Sequence, residues 1–262
     1  MHDLLFLAAA LLYGVASTFL LALLARGAEG RAALTGPRVL AVAALLHLLH
    51  DVVRWTQGRG PFAGLREGLS TFALLVVGGF FAVHRSARRT GGIGAFVAPL
   101  ALLALLASRA VTDRSGASGG ALLAMHVGAT LVASAAFAVG SAMAAAYLIQ
   151  ERELKRKRIG GLFRRLPSLE VLDQVSYRCV ALGLPALTLG IVSGLFVGAR
   201  GTGDLMGAWQ QYVALGVWAI FAAVLVLRAV AGWRGRRAAI GTLIGSACAA
   251  TVLGGYLLRG AL

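Results

Sequence analysis

Two histidines, a carboxylate and a guanidinium lie close together in one short stretch of the sequence. The stretch begins at His47, continues through His50, Asp51 and Arg54, and ends at Trp55. His50 follows His47 by three residues and Arg54 follows His50 by four, so the three side chains share one face of a helix. Imidazole is a common ligand of metal ions and of haem iron. The stretch predicts either a haem site or polar side chains that lie at headgroup level and bind nothing.

A third histidine, His126, opens a later apolar run of the sequence. Thr130, Ser134 and Ser141 follow it at offsets of four, eight and fifteen residues, on the same face of a helix. Hydroxyl side chains in a membrane helix bond to carbonyls of their own helix or across to a neighbouring helix. We therefore expect this face to pack inward, which favours a ligand role for His126.

The elements that must position these side chains are membrane-spanning helices. Hydrophobic residues make up 59% of the chain, charged residues make up 13%, and the mean hydropathy is +0.82. A helix crosses a bilayer with about 20 mostly apolar residues. We predict an all-α membrane helix bundle of eight spans that forms a single integral membrane domain, residues 1–262. The predicted spans are residues 4–24, 39–55, 68–83, 93–108, 122–149, 175–197, 209–227 and 238–258.

Positive charge in the loops predicts how the bundle is oriented. The net charge of +15 lies in short loops between apolar runs, so it indicates topology rather than binding to nucleic acid. The loops after spans one, three, five and seven, with the start of span six, hold 18 of the 25 lysines and arginines. We expect this side, including the basic loop 150–174, to be cytoplasmic and both termini to face outward. His47, His50, Glu67 and His126 then converge near the outer surface.

Four stretches of the sequence resemble the CcsA/HemX-type family of cytochrome c assembly proteins, which are haem-handling membrane proteins. The first joins His47 through Arg54-Trp55 to the Gly-Arg-Gly-Pro loop 58–61 and then to Glu67. The second is Met125-His126-Val127, at the start of a long helix. The third and fourth are the most specific: residues 172–178 running into 183–190, and residues 232–239.

The resemblance implies a haem site near the outer face. His47 and His126 match two of the family's four histidines, and we expect them to be axial ligands of haem iron, with His50 as a substitute for either. Arg54 and Arg59 can pair with the propionates, since a guanidinium binds a carboxylate bidentately. The expected cofactor is non-covalent haem b, because the chain contains no Cys-x-x-Cys-His sequence.

Each of the supporting residues also has a simpler interpretation. Arg54 can merely neutralise Asp51, and Arg59 can be a solvated loop charge. Glu67 can orient a histidine N–H group, or it can be an acid at a helix N-terminus. Trp209 can stack on the cofactor or belong to the aromatic belt at the membrane surface.

Two departures from the family favour its shorter, HemX-like branch. The region around Trp209 lacks the family's tryptophan-rich motif, and no histidine follows His126. We predict a haem-binding or haem-transfer protein of the bacterial inner membrane, with haem, the lipid bilayer, a second assembly protein and apocytochrome c as partners. The alternative is a non-haem scaffold or regulator of haem biosynthesis that acts through basic cytoplasmic loops. No nucleophile–base set indicates an enzyme acting on its own.

Overall fold

The computed structural model describes residues 2–26, 31–86, 90–111, 120–157, 165–199 and 208–261. Within these ranges the chain forms eight α-helices, one short 3₁₀-helix and no strand, which confirms the predicted all-α bundle. Seven helices of the described ranges are long and apolar enough to cross a membrane, and the eighth overlaps the last predicted span. The helices are α1 (His2–Arg26), α2 (Arg31–Thr56), α3 (Leu65–Ser86), α4 (Gly94–Ala110), α5 (Ala121–Lys155), α6 (Leu169–Ala199), α7 (Ala208–Val230) and α8 (Arg236–Ala261), and the 3₁₀-helix is Thr90–Ile93.

The second helix is longer than the sequence pattern predicted. It begins at Arg31 rather than at residue 39 and continues through Pro37. The apolar pattern stops at Pro37 and Arg38, but the start of α2 is held against α1, since a Cβ on Gly36 would lie 2.8 Å from a methyl carbon of Leu20. Contact between the two helices therefore extends α2 beyond its apolar run.

The basic loop 150–174 is partly helical. The long helix α5 continues to Lys155, so the first residues of the predicted loop belong to it, whereas residues 158–164 lie outside the described part of the chain. The next helix begins as expected, because the Oγ of Ser168 accepts the backbone N–H of Val171 at 3.4 Å. Glu170 lies in the first turn of α6, where the helix dipole favours an acid.

The helices pack in two groups that share α5. In the first group α1 lies against α2 and α4, and α3 lies against α4 and α5. Its core contains Tyr13, Leu20 and Phe80, all fully buried. In the second group α5 packs along α6 and α8, and the ring of Phe137 stacks on Phe221 at 3.8 Å between centroids. Large apolar side chains are also exposed on the outer surface, as expected for helices surrounded by lipid.

Glycines of α6 make room for side chains of α5. A Cβ on Gly183 would lie 2.5 Å from the ring of Phe137, and one on Gly190 would lie 2.6 Å from the methyl group of Thr130. Small residues allow helix backbones to approach closely in lipid, where packing rather than the hydrophobic effect holds helices together. The α5–α6 seam therefore depends on these glycines, and it fixes how the side chains at the start of α5 face α6.

Candidate functional site

The buried centre of the predicted site is His47, which is fully inaccessible to solvent. Its Nδ1 lies 3.3 Å from the hydroxyl of Tyr13 on α1, and its Nε2 lies 2.8 Å from the Oγ of Ser70 on α3. Three helices thus meet at one imidazole. The i, i+4 spacing of α2 also brings Asp51 to its side, with Oδ2 3.7 Å from Nε2.

The acceptors in this network determine where its protons lie. Ser70 Oγ is 2.7 Å from Oδ1 of Asp51, and a carboxylate only accepts, so Ser70 donates its proton to Asp51. Ser70 then accepts the N–H of His47 Nε2, and the lone pair of Nδ1 accepts the proton of Tyr13. Both ring nitrogens of His47 are therefore engaged by the protein. Oδ2 of Asp51 is buried and has no hydrogen-bond partner among the described residues.

Arg54 and Glu67 form a buried ion pair between α2 and α3. Both side chains are less than one-tenth exposed. The sequence had suggested Asp51 as the partner of Arg54, and a histidine as the partner of Glu67. The pairing of Arg54 with Glu67 instead follows from the packing of the start of α3 against the end of α2. Removing one member of a buried pair leaves an uncompensated charge, which is strongly destabilising.

A narrow polar cleft, with free space for about one water molecule, lies next to this network. His50 lines it, with its ring edge-on to Phe6 at 5.7 Å between centroids. The guanidinium of Arg109 lies over the ring of Phe6, 4.9 Å from its centre, and pairs with Asp3 at 2.9 Å. This space is far smaller than the roughly 300–1,000 Å³ of typical small-molecule sites, so a ligand group enters only when the lining side chains move apart. The polar residues lining the cleft are His50, Asp51, Arg54, Arg59, Arg66, Glu67, Ser70, Ser108 and Arg109.

His126 lies in a different environment, between α5 and α6. Its Nδ1 is 2.7 Å from the carbonyl oxygen of Gly190. A carbonyl only accepts, so Nδ1 carries the proton and the lone pair of the neutral ring is on Nε2. Gly194 gives the ring its space, since a Cβ there would lie 2.8 Å from Cε1 and 3.0 Å from Nδ1. The half-buried ring is thus held in a single tautomer by the backbone of α6.

The hydroxyl stripe below His126 packs inward only in part. The hydroxyl of Thr130 bonds back to the carbonyl of His126 at 2.9 Å, and the hydroxyl of Ser141 donates to Ser246 of α8 at 2.5 Å. Ser134, predicted to share this inward face, is exposed. The expectation for Ser134 was wrong because eight residues at 3.6 per turn carry it about 80° around the helix axis from His126, which turns this side chain out of the packed face.

The structure brings together some predicted residues and separates others. His50, Arg54, Arg59 and Glu67 all line the cleft. His47 and His126 do not share a hydrogen-bond partner: His47 bonds to Tyr13 and Ser70, whereas His126 bonds to the carbonyl of Gly190. Trp209 lies in the first turn of α7, and its side chain is outside the described part of the structure.

Sequence reasoning missed Tyr13, Ser70, Arg66 and Arg109. Arg66 directly precedes Glu67, and this position next to a predicted site residue was the only feature of the sequence that could have indicated Arg66. Tyr13 and Arg109 lie on helices distant in sequence, so only the packed bundle brings them to the site.

A haem ligand needs an imidazole nitrogen with an available lone pair, and the two histidines differ in this respect. His126 fits, because the proton on Nδ1 leaves the lone pair on Nε2. His47 does not fit in its present state, because it would first have to give up Tyr13 or Ser70. The role predicted for His47 therefore stays a prediction. The cleft beside it has no room for a large planar ring.

Fold and site together define a polytopic membrane protein with histidines at one end of its helix bundle. The model of the family described as "Cytochrome C assembly protein" matches residues 5–253. The chain belongs to this family, as its resemblance in four stretches predicted.

Individual relatives cover most of the chain. The chain is 31% identical to the cytochrome c biogenesis protein CcsA of Synechococcus sp. (strain CC9605) over 239 residues, which are 79% of this chain and 78% of that protein. It is 32% identical to the CcsA of Synechococcus sp. (strain CC9902) with the same coverage. It is 31% identical to the CcsA of Microcystis aeruginosa over 259 residues, which are 77% of this chain and 76% of that protein. No solved structure matches the chain.

The apolar helices and the bacterial relatives agree with the predicted location. Seven described helices can span a bilayer, and the relatives named above are bacterial. The chain is accordingly an integral membrane protein of the bacterial inner membrane. The orientation of its termini stays a prediction from loop charge.

Proposed function

We propose that this chain binds haem and hands it on during cytochrome c assembly, with His126 as an axial ligand through Nε2. The observation that carries the proposal is the hydrogen bond from Nδ1 of His126 to the carbonyl of Gly190. Histidines that bind metals characteristically donate their other ring N–H to a carbonyl or carboxylate, which fixes the tautomer and raises the basicity of the ligand. Membership of the cytochrome c assembly family supports the same conclusion.

In this proposal the haem propionates bind at the polar cleft once its lining side chains have moved apart. Arg59 and His50 line it, and a guanidinium binds a carboxylate through two parallel hydrogen bonds. Arg54 is held by Glu67, so its role is to position the cleft wall rather than to bind a propionate. Phe62 lies in the turn beside the cleft and close to α5, since a Cβ on Gly128 would lie 3.4 Å from its ring. The cleft is therefore at the same end of the bundle as His126.

Haem is the cargo in this proposal, and bis-histidine ligation suits holding rather than oxygen chemistry. The second axial ligand in this proposal is His50, which lines the cleft, because His47 is held by Tyr13 and Ser70. Attachment of haem to a cytochrome uses the thiols of the apocytochrome itself, so this chain's two cysteines, Cys179 in α6 and Cys248 in α8, need take no part in it. The partners in this proposal are apocytochrome c and a second membrane protein of the assembly pathway.

The test is a haemin titration of the purified full chain in mild detergent, followed by absorption in the Soret region. We expect a Soret band with low-spin α and β peaks that disappears in His126→Ala. The matched control is His84→Ala, which removes a histidine that stacks on Phe80 near the other end of α3 and should keep the band. A wild-type protein that takes up no haem, or a band that survives in His126→Ala, would overturn the proposal.

The alternative function, a scaffold or regulator acting through basic loops, has one observation in its favour. Arg152, Arg156 and Lys157 are exposed at the end of α5, where a partner protein can reach them. Under this alternative, charge reversal at these residues abolishes cytochrome c assembly while His126→Ala leaves it intact. The opposite pattern would exclude the scaffold and support the haem proposal.

A further inference from the structure

Two arginines that line the cleft beside His50 are held by carboxylates, and the two ion pairs differ in how easily they can be broken. Arg54 and Glu67 are both buried, so breaking their pair leaves uncompensated charges. The side chains of Arg109 and Asp3 are 38% and 57% exposed, so water can replace either partner. Since the cleft has free space for about one water molecule, a ligand group must displace a side chain to enter. Of the two arginines, Arg109 is the one that can move at little cost.

The pair of Arg109 with Asp3 joins the end of α4 to the start of α1. Asp3 lies in the first turn of α1, Arg109 lies in the last turn of α4, and the two helices pack against each other. Phe6 follows Asp3 by three residues, so both side chains lie on the same face of α1. The guanidinium of Arg109 is 4.9 Å from the ring centre of Phe6 and 2.9 Å from the carboxylate of Asp3. Arg109 is thus held by a carboxylate and an aromatic ring of the same helix.

Phe6 also covers His50, which is the second axial ligand in the proposed haem site. Its ring is edge-on to the imidazole at 5.7 Å between centroids, and both side chains are buried. Contacts therefore run without a break from Arg109 to Phe6 and from Phe6 to His50. A movement of Arg109 away from Asp3 also takes the cation away from the face of Phe6, which leaves that ring free to turn away from His50.

We infer, on the basis of the proposed haem function, that Arg109 binds carboxylates at the cleft and exchanges Asp3 for a propionate of the entering haem. The exchange uncovers His50. A guanidinium binds one carboxylate much as it binds another, so a propionate can replace Asp3 without leaving the cation unpaired. Asp3 is then an internal competitor that keeps the cleft closed before haem arrives. Arg59 lines the same cleft and is exposed, so each of the two propionates has a guanidinium.

Haemin and haemin dimethyl ester test the exchange, because they differ only in whether the propionates are free or esterified. Titration of the purified full chain in mild detergent, followed in the Soret region, gives a dissociation constant for each. We expect the wild type to prefer haemin. Arg109→Gln should bind haemin about tenfold more weakly, the loss of one hydrogen bond to a charged group, while its affinity for the ester changes little. Asp3→Asn removes the competitor and should strengthen haemin binding by up to about fivefold, the most that an exposed ion pair contributes.

The matched controls are Arg85→Gln and Glu170→Gln, at the other end of the bundle. Arg85 is an exposed arginine in the last turn of α3, and Glu170 is an exposed acid in the first turn of α6. Both controls should keep the wild-type affinities. Equal losses for haemin and its ester in Arg109→Gln, or an equal loss in Arg85→Gln, would overturn the inference and leave the haem function standing. A wild type that takes up neither porphyrin would overturn the haem function as well.

A second measurement follows the cover over His50 without any haem. Diethyl pyrocarbonate modifies accessible imidazoles, and mass spectrometry of the resulting peptides gives a rate for each histidine. We expect His50 to react up to about fivefold faster in Asp3→Asn than in the wild type, because the pair that holds the cover is gone. The rate at His126, whose hydrogen bond is to α6, should stay unchanged and serves as the reference in the same sample. An unchanged rate at His50 would overturn the role of Asp3, whatever the outcome of the haem titration.

Discussion

His47 and His126 are the same residue type near the same end of the bundle, yet their surroundings differ in a way that decides their chemistry. The ring of His47 is enclosed by α1, α2 and α3, and side chains occupy both of its nitrogens. The ring of His126 gives one proton to a backbone carbonyl of α6. The comparison teaches that burial and sequence position alone do not identify a metal ligand. A ligand also needs a lone pair that internal hydrogen bonding leaves available, and of these two rings His126 is the one that has it.

The largest effect on this comparison should come from Glu67→Ala, which leaves Arg54 buried and unpaired beside the His47 network. We expect the free energy of unfolding to fall by about 3–5 kcal/mol, as measured by denaturant unfolding in detergent. The double variant Arg54→Leu/Glu67→Met removes both charges and should recover most of this loss. If Glu67→Ala were as stable as the wild type, the ion pair would not be buried in the membrane-embedded protein.

Gly194→Ala should disturb His126 without touching His47. The new Cβ would lie 2.8 Å from Cε1 of the imidazole, so the ring must shift and its bond to Gly190 weakens. We expect haem affinity to fall by about tenfold, the lower end of the effect of losing a partner that orients a metal ligand. Gly78→Ala is the control, since a Cβ there meets nothing within 4 Å. Equal affinities of the two variants would mean that the position of His126 does not matter for haem.

Ser70→Ala should affect the His47 side of the comparison alone. It removes the acceptor of the Nε2 proton of His47 and the donor to Asp51. Leaving buried polar groups unpaired costs about 1–3 kcal/mol, which a shift in the thermal unfolding midpoint would report. Ser134→Ala, on the exposed face of α5, serves as the control and should leave the midpoint unchanged. A Ser70→Ala variant with the wild-type midpoint would contradict the network.

The smallest effect should come from Tyr13→Phe, which releases the lone pair of Nδ1 on His47. The 3.3 Å bond is the longest in the network, so we expect a loss of about 0.5–1.5 kcal/mol in stability. Because His47 stays fully buried, haem binding should not change. The informative combination is Tyr13→Phe with His126→Ala: if the Soret band returned, His47 would be able to act as a ligand once it is free of Tyr13.

Much of the fold could be predicted because lipid imposes a simple rule. Each span must be a long apolar run, and eight such runs are visible in the sequence. The start of α2 could not be predicted from composition, because the turns of the helix before Pro37 pack against Leu20 of α1 rather than forming part of the apolar run. The face shared by His47, Asp51 and Arg54 followed from helical spacing.

The partners of the site residues could not be predicted in the same way. Tyr13 and Ser70 reach His47 from other helices, and nothing local in the sequence indicates which helices will be neighbours. The pairing of Arg54 with Glu67 depends on the angle at which α3 leaves the turn after α2. The tautomer of His126 depends on a carbonyl 64 residues away.

The most direct test of the difference between the two histidines is a change of axial ligand. We would measure the reduction potential and the reduced absorption spectrum of haem-loaded His126→Met and His47→Met beside the wild type. Methionine ligation raises the potential of haem relative to bis-histidine ligation, so we expect the potential to rise in His126→Met and to stay unchanged in His47→Met. A potential that rises only in His47→Met would contradict the assignment of His126 as the ligand.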